Sequence, residues 1–150
     1  MPLRVNEIFF SIQGESSHAG RPCAFIRLAG CNLRCTYCDT RYAYEEGSLR
    51  EIPEIERQVR SFGCRLVEIT GGEPLLQAGT PELVRTLLGR GYTVLMETNG
   101  SQDIGVIDAR CTRIVDVKCP SSGESDRNRL ENLAVITPND EVKFVIGDRA

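Results

Sequence analysis

The chain has 150 residues, of which 41% are hydrophobic, and this length suits one packed core better than two. The formal net charge is −3, and acids interleave with bases even in the most basic stretch, residues 110–129, so no basic stripe for nucleic-acid phosphates is present. No run of 18 apolar residues and no signal-peptide core occur; we therefore expect one cytosolic domain, residues 1–150, with neither a nucleic-acid nor a membrane partner.

Short apolar runs alternate with longer periodic segments from residue 23 onward, a pattern typical of strand-helix units and a parallel sheet. The predicted strands are residues 23–29, 66–70, 92–98, 113–118 and 141–146. Helical spacing predicts one helix through Ile52, Ile55, Val59 and Phe62. Thr80 as N-cap, followed by Pro81 and Glu82, predicts a second helix, with Gly63 and Gly89 or Gly91 as the stops.

Alternation of side chains within these strands predicts two different sheet faces. One face is apolar and suits covering helices: Ile26, Leu28, Val67, Ile69, Val115, Val117, Val142, Phe144 and Ile146. The other face is polar: Arg27, Glu68, Thr70, Glu97, Asn99, Asp116, Lys118 and Lys143. Because a parallel sheet covered on both sides is normally apolar on both, we interpret the polar face as a lumen for a polar ligand. The alternative is a sheet with one solvated face.

Three of the seven cysteines follow the first predicted strand closely, as Cys31, Cys35 and Cys38. An odd number of cysteines in a reducing compartment argues against a disulfide framework, and the close spacing indicates metal binding. A 4Fe-4S cluster tied by three thiolates keeps one iron open for a ligand. The alternative is a zinc site with Cys23 or His18 as the fourth ligand, although neither belongs to a second short ligand pair.

Polar and glycine-rich segments come directly after three further strands. Thr70-Gly71-Gly72-Glu73-Pro74 follows the second strand, residues 97–100 end the third, and residues 116–118 end the fourth. Ligands of parallel sheets and barrels bind at the carboxyl ends of strands, so these segments and the cysteine motif should form one site.

The three-cysteine spacing followed by Gly-Gly-Glu-Pro resembles the radical S-adenosylmethionine (radical SAM) superfamily. Residues 7–15, 25–35 and 38–40 are similar to the 7-carboxy-7-deazaguanine synthase family within it, and the resemblance covers nearly the whole chain. It implies an α/β fold, a partial (β/α) barrel with parallel strands. It also implies a homodimer, a pterin substrate and an electron donor such as a flavodoxin or ferredoxin.

The implied reaction converts 6-carboxy-5,6,7,8-tetrahydropterin to 7-carboxy-7-deazaguanine with loss of ammonia, on the route to the tRNA base queuosine. A reduced 4Fe-4S cluster and S-adenosylmethionine would supply the radical chemistry. The protein would orient the reactants and exclude water.

Site residues follow from the same resemblance, position by position. Cys31, Cys35 and Cys38 would hold the cluster, and Thr40 would bind Mg²⁺, which prefers oxygen ligands. S-adenosylmethionine would contact Tyr37, Asp39, Gly72, Glu73, Asp116, Val117 and Lys118. The substrate would contact Ile12, Gln13, Gly14, Arg27 and Thr70. The alternation of side chains along its strand places Arg27 in the lumen. There its charge must be balanced, either by the substrate carboxylate or by an internal partner, Glu68 or Glu97.

The last residues depart from the family's pattern. The family usually continues past the strand near residue 146 with a helical segment and a tail that closes the substrate pocket. We therefore expect either an incomplete chain or a version that lacks the last C-terminal unit.

Two other functions stay open at this point. A glycyl-radical activating enzyme would also need the three cysteines, but it would not explain residues 11–15 together with Arg27. A non-catalytic iron-sulfur or zinc module would produce no 5′-deoxyadenosine.

Overall fold

A seven-stranded mixed sheet runs through residues 1–147, the part of the chain that the computed structural model describes. Its strands are β1 (Leu3–Ile12), β2 (Pro22–Leu28), β3 (Ser48–Arg50), β4 (Leu66–Gly71), β5 (Thr93–Thr98), β6 (Thr112–Asp116) and β7 (Glu141–Lys143). The spatial order is β3-β1-β2-β4-β5-β6-β7. Strand β1 pairs antiparallel with β2 and β3, whereas β2, β4, β5, β6 and β7 are parallel.

The five predicted strands are all present and parallel to one another, so the predicted α/β class is confirmed. Their bounds move by one or two residues, except that the last strand ends at Lys143 rather than at residue 146. The prediction that helices cover Val142, Phe144 and Ile146 is wrong, because these side chains are 39%, 59% and 76% exposed. The two α-helices pack over strands at the other end of the sheet.

Helices α1 (Ile52–Ser61) and α2 (Thr80–Gly89) lie on one face of the sheet, as predicted. Gly63 and Gly91 follow them with φ of 68° and 82°, left-handed conformations in which glycine carries no steric penalty. Thr80 is not the N-cap that was predicted, because Gly79 takes that position. The buried Thr80 hydroxyl instead donates a 2.6 Å hydrogen bond to the Pro74 carbonyl.

Shorter 3₁₀ helices occupy Arg41–Tyr44, Pro74–Leu76, Ile104–Val106, Pro120–Ser122, Ser125–Arg127 and Leu130–Ala134. No helix among residues 1–147 combines the length and apolar character needed to cross a membrane.

Strand β1 contains a β-bulge, which explains why its sequence pattern does not alternate simply. Val5 pairs with Leu28 and Glu7 pairs with Arg27, so β1 has one residue more than β2 at this point. Leu3 and Val5 accordingly face the helices, whereas Phe9, further along, faces the opposite side. A single extra residue thus exchanges the two faces of the strand.

The sheet face opposite the helices has two layers. Near the amino ends of the parallel strands it is apolar, with Cys23, Phe25, Leu66, Leu95, Ile114 and the partly buried Phe9 in one cluster. Near the carboxyl ends it carries the predicted polar side chains, which line a cavity. The lumen interpretation therefore holds for the carboxyl half of the strands.

Candidate active site

A cavity of about 610 Å³ opens at the carboxyl ends of the parallel strands. Its walls include all three motif cysteines, together with side chains from β2, β4, β5, β6 and the segment after β7. Segments far apart in sequence thus converge because parallel strands all end at the same edge of a sheet. The cysteine motif and the polar segments after the strands therefore lie at one site, as predicted.

The loop after β2 places Cys31, Cys35 and Cys38 on one wall, each with a half-buried thiol. Burial raises the pKa of Cys31, and it raises that of Cys35 against the opposing influence of Lys118. The backbone N–H of Leu33 donates to Cys31 Sγ at 3.5 Å, and the side-chain amide of Asn99 approaches the same sulfur at 3.9 Å. Donors to a ligand sulfur are among the features that set a cluster's reduction potential.

Gly72 fits closely behind the cysteine loop. A Cβ at this position would lie 2.8 Å from Cys31 Cβ and closer still to the Gly30 carbonyl. Glu73 anchors the same segment, since its backbone N–H donates to Gly30 O at 2.7 Å. The Gly-Gly-Glu segment therefore sets the position of the first cysteine.

The Glu73 carboxylate is fully buried and already has its partners. It accepts hydrogen bonds from Thr98 Oγ1 at 2.9 Å, from the Asn99 backbone N–H at 2.6 Å and from the Leu75 backbone N–H at 3.0 Å. Burial raises its pKa against these bonds. Glu73 joins β4 to the end of β5 and does not line the cavity.

Asp116 and Lys118 form an ion pair at the end of β6, with 2.8 Å between Lys118 Nζ and Asp116 Oδ2. Burial opposes the Lys118 charge, but Asp116 outweighs burial and raises the pKa of Lys118. Lys118 Nζ also lies 5.7 Å from the centre of the Tyr37 ring. The second oxygen of Asp116 is buried and has no hydrogen-bond partner among residues 1–147, so a polar ligand would satisfy it.

Arg27 lines the cavity, as the alternation of side chains along its strand predicted. Its internal partner is neither Glu68 nor Glu97, the two alternatives that the sequence left open. Arg27 Nε donates to Glu7 Oε1 at 2.8 Å across the β1–β2 pair. The strand pattern of residues 23–146 could not reveal Glu7 as the partner, because Glu7 lies on β1, a strand that was not predicted.

Three carboxyl groups and one lysine also line the cavity: Glu15, Glu68, Glu97 and Lys143. Lys143 Nζ lies 2.8 Å from Glu97 Oε2 and 3.3 Å from Glu15 Oε2. Glu68 accepts a hydrogen bond from the Gln13 side-chain amide. Burial, together with the nearby Glu97, raises the pKa of Glu68 to about 7. Glu97 Oε1 is buried without a hydrogen-bond partner in the described chain, which leaves a second unfilled polar position.

A protein-family model described as the Radical SAM superfamily matches residues 25–117. The chain belongs to the radical SAM superfamily. Within that superfamily it belongs to the 7-carboxy-7-deazaguanine synthases, as two relatives of that name show. One from Koribacter versatilis is 49% identical, over 99% of this chain and 66% of its own length. One from Chlorobaculum tepidum is 49% identical, over 99% of this chain and 69% of its own.

The chain thus spans about two thirds of the length of these radical SAM relatives. A crystal structure of QueE from Escherichia coli superimposes with a TM-score of 0.74 at 23% identity, covering 96% of this chain and 83% of that one. This likeness supports the fold.

Most residues that the radical SAM resemblance implied lie together. The cavity is lined by Gln13, Gly14, Arg27, Cys31, Cys35, Tyr37, Cys38, Asp39, Thr40, Thr70, Gly72, Asp116 and Lys118. Ile12, Glu73 and Val117 do not line it: Ile12 is 64% exposed at the end of β1, and the Val117 backbone N–H donates to Lys143 O at 2.8 Å. Residues that line it without having been predicted include Phe9, Glu15, Phe25 and Tyr44.

The zinc alternative lacks support in this radical SAM fold. Cys23 is buried in the apolar layer, and His18 Nδ1 lies 2.6 Å from the Arg21 guanidinium, so neither lines the cavity with the motif cysteines. A zinc ion draws its ligand atoms within about 2.3 Å of one point. No three His, Cys, Asp or Glu side chains of residues 1–147 converge in this way.

Proposed function

We propose that this chain converts 6-carboxy-5,6,7,8-tetrahydropterin to 7-carboxy-7-deazaguanine with release of ammonia, as a step towards queuosine. One observation carries the proposal: the three motif cysteines share a single cavity with an arginine and with buried polar atoms that have no hydrogen-bond partner within residues 1–147. The names of the relatives and the radical SAM family model support the same reaction class.

Cys31, Cys35 and Cys38 would hold the 4Fe-4S cluster. All three thiols are unpaired and face one cavity, so the donor set fits three irons and leaves the fourth open. When bound, the reduced cluster and S-adenosylmethionine would supply the one-electron chemistry that removes a hydrogen atom from the substrate and later returns it, so that the reaction is redox-neutral overall. The protein's own contribution is to place these groups and to limit the access of water.

The S-adenosylmethionine side of the cavity would comprise Tyr37, Asp39, Gly72, Asp116 and Lys118, with Glu73 and Val117 behind it. The unpartnered Asp116 oxygen accepts a hydrogen bond from a hydroxyl or ammonium group. Gly72 lines the cavity beside Cys31, and only glycine fits there because a Cβ would overlap the Gly30 carbonyl. Glu73 and Val117 contribute indirectly, through the hydrogen bonds that hold the ends of β5 and β6.

The substrate side would comprise Gln13, Gly14, Arg27 and Thr70, whereas Ile12 lies outside the cavity lining. Arg27 would bind the carboxylate, because its two terminal nitrogens have no hydrogen-bond partner among residues 1–147 and carboxylates suit a guanidinium fork. Gln13 is buried, and its carboxamide can meet the polar edge of the pterin. Phe9 stacks on Phe25 with 4.9 Å between ring centres, which provides an apolar surface next to Arg27.

Thr40, with Asp39 beside it, would bind Mg²⁺. The Thr40 hydroxyl donates to Asp39 Oδ1 at 2.7 Å, and both residues line the cavity. The hydroxyl makes no capping hydrogen bond to the 3₁₀ helix that begins at Arg41. Adjacent hydroxyl and carboxylate oxygens are ligands that a hard cation prefers.

The proposal extends to the assembly and the compartment. The family resemblance supports a homodimer, reduction by a flavodoxin or ferredoxin, and a cytosolic location without a nucleic-acid or membrane partner. Light scattering of the purified chain tests the dimer: a mass near twice 16.6 kDa is expected.

The experiment that separates the candidate functions is cleavage of S-adenosylmethionine. Anaerobically reconstituted protein with a strong reductant should release 5′-deoxyadenosine. With the carboxylated tetrahydropterin, the deazaguanine product should form in excess over 5′-deoxyadenosine, because the redox-neutral reaction returns the hydrogen atom and regenerates S-adenosylmethionine. Absence of 5′-deoxyadenosine with and without the pterin, in protein with a full iron and sulfide content, would leave a non-catalytic iron-sulfur module. Cleavage that a glycyl-radical partner protein accelerates, with no deazaguanine product from the pterin, would favour an activating enzyme.

A further inference from the structure

Glu7 and Arg27 face each other across β1 and β2 only because of the β-bulge described above. Without the extra residue, alternation would turn the Glu7 side chain toward the helices, where Val5 and Ile8 pack. The bulge residue, Asn6, is anchored by its side-chain amide, which donates to the Glu46 carbonyl at 2.9 Å. Bulges often redirect a side chain beside a functional site, and here the redirected side chain is Glu7.

The Glu7 carboxylate binds Arg27 through one nitrogen only. Arg27 Nε donates to Glu7 Oε1 at 2.8 Å, and the Tyr42 hydroxyl donates to the same oxygen at 3.1 Å. The Arg27 guanidinium carbon lies 5.8 Å from the centre of the Phe9 ring and 5.7 Å from that of Tyr42. One hydrogen bond and two aromatic rings therefore fix the plane of the guanidinium.

The remaining edge of Arg27 faces the cavity. Its two terminal nitrogens make no hydrogen bond within residues 1–147, although the side chain is only 16% exposed. A guanidinium offers two parallel N–H groups along this edge, which match a carboxylate. Since Nε is occupied, a ligand carboxylate can bind only end-on, between the two terminal nitrogens.

We propose that Glu7, assisted by Tyr42, is a positioning residue that aims the terminal edge of Arg27 at the carboxylate of the substrate. This inference rests on the proposed function. It assigns selection of the carboxylated pterin to the Glu7–Tyr42–Arg27 group rather than to Arg27 alone. The Glu7 side chain is 40% exposed, so solvent weakens its charge and Arg27 remains able to attract an anion.

A spectroscopic experiment tests the positioning without any substrate. The Nε–H resonance of Arg27 is assigned in the cluster-loaded protein by its absence in Arg27→Lys. We expect slow hydrogen exchange in the wild type, faster exchange by about 10-fold or more in Glu7→Ala, and near-normal exchange in Glu7→Gln, whose amide oxygen still accepts the hydrogen bond. Unchanged exchange in Glu7→Ala would show that Glu7 does not hold Arg27.

A binding experiment tests whether the positioning of Arg27 serves recognition of the substrate carboxylate. Dissociation constants are measured for 6-carboxy-tetrahydropterin and for tetrahydropterin lacking the carboxylate. Glu7→Ala should weaken the carboxylated ligand by about 10-fold and leave the other ligand unchanged, and Glu7→Gln should recover most of the loss. Tyr42→Phe should have a smaller effect of the same kind. Glu131→Ala, at an exposed glutamate outside the cavity lining, is the control.

The outcomes separate this inference from the proposed function. Equal weakening of both ligands, or tighter binding of the carboxylated ligand by Glu7→Ala, would overturn the positioning role. The second result would make Glu7 a competitor for Arg27. If wild-type protein binds both pterins equally, the proposed substrate is wrong, whereas the exchange rates still decide whether Glu7 holds Arg27.

Discussion

The side-chain amide of Gln13 donates a hydrogen bond to the buried carboxylate of Glu68, joining the segment after β1 to the middle of β4. Burial and the neighbouring Glu97 raise the pKa of Glu68 to about 7 from its ordinary 4.5. The proposed substrate contact Gln13 is thus held by a carboxyl group that titrates near neutral pH.

Glu68 should make the stability of the protein depend on pH. Between pH 4.5 and about 7 the folded chain keeps a proton on Glu68 that the unfolded chain has lost, so this group's contribution to stability falls as pH rises through that window. The shift corresponds to a loss on the order of 3 kcal/mol by pH 8. Glu68→Gln removes the titration. The unfolding free energy of Glu68→Gln, relative to that of the wild type, should therefore increase as pH rises from 5 to 8.

Urea unfolding of both proteins at several pH values measures this gain. Glu82→Gln, at a surface glutamate with a side chain 56% exposed, is the matched control and should show no such trend. If the stability difference between Glu68→Gln and the wild type is constant from pH 5 to 8, Glu68 has an ordinary pKa.

The cysteines should divide into two classes. Cys31→Ala, Cys35→Ala and Cys38→Ala should each abolish cleavage of S-adenosylmethionine and reduce the iron content, because each removes one of three cluster ligands. Cys64→Ala and Cys111→Ala should retain both, because neither residue lines the cavity. Iron and sulfide analysis with the cleavage assay measures the division. Full activity of any motif variant would remove that cysteine from the ligand set.

Gly72→Ala should displace the cysteine loop. The new methyl group would overlap the Gly30 carbonyl and lie 2.8 Å from Cys31 Cβ, a distance that real side chains essentially never show. We expect a loss of cluster occupancy and a lower thermal midpoint. Gly89→Ala, where a methyl group meets nothing within 4 Å, is the control and should leave the cluster intact. Normal iron content in Gly72→Ala would mean that the loop can move without consequence.

Thr40→Ala should weaken the magnesium dependence of turnover while the cluster remains intact. Thr40 offers a hydroxyl oxygen beside the Asp39 carboxylate, and alanine removes it. Thr40→Ser retains the hydroxyl and should behave like the wild type. Titration of Mg²⁺ against turnover distinguishes the three proteins, and superimposable curves for all of them would exclude Thr40 as a ligand.

The parallel part of the sheet could be predicted from the sequence, because each strand there combines an apolar helix-facing side with polar residues at its carboxyl end. Strand β1 could not be predicted in the same way. Its bulge interrupts the alternation, so Leu3 and Val5 on one side and Phe9 on the other read as an irregular apolar run. The partner of Arg27 was missed for this reason, since Glu7 becomes a neighbour only through the β1–β2 register.

The candidate site could be predicted where short motifs carry it, as for the three cysteines and Gly72. Side chains that serve the site from inside the fold were harder to recognise. Glu73 has the position of a ligand contact, yet its carboxylate is consumed by hydrogen bonds within the protein. Val142, Phe144 and Ile146 have the alternation of a covered strand, but no helix among residues 1–147 lies over them. Alternation reports which way a side chain points and not what covers it.

The most direct measurement is formation of product. Cluster-loaded wild-type protein, S-adenosylmethionine, Mg²⁺ and a reductant are incubated with 6-carboxy-5,6,7,8-tetrahydropterin, and the mixture is analysed by mass spectrometry. We expect 7-carboxy-7-deazaguanine and an equal amount of ammonia from the wild type. Cys35→Ala should form no deazaguanine product, and Arg27→Lys should form much less than the wild type. Cleavage of S-adenosylmethionine with no deazaguanine product, from protein with a full cluster, would contradict the proposed substrate.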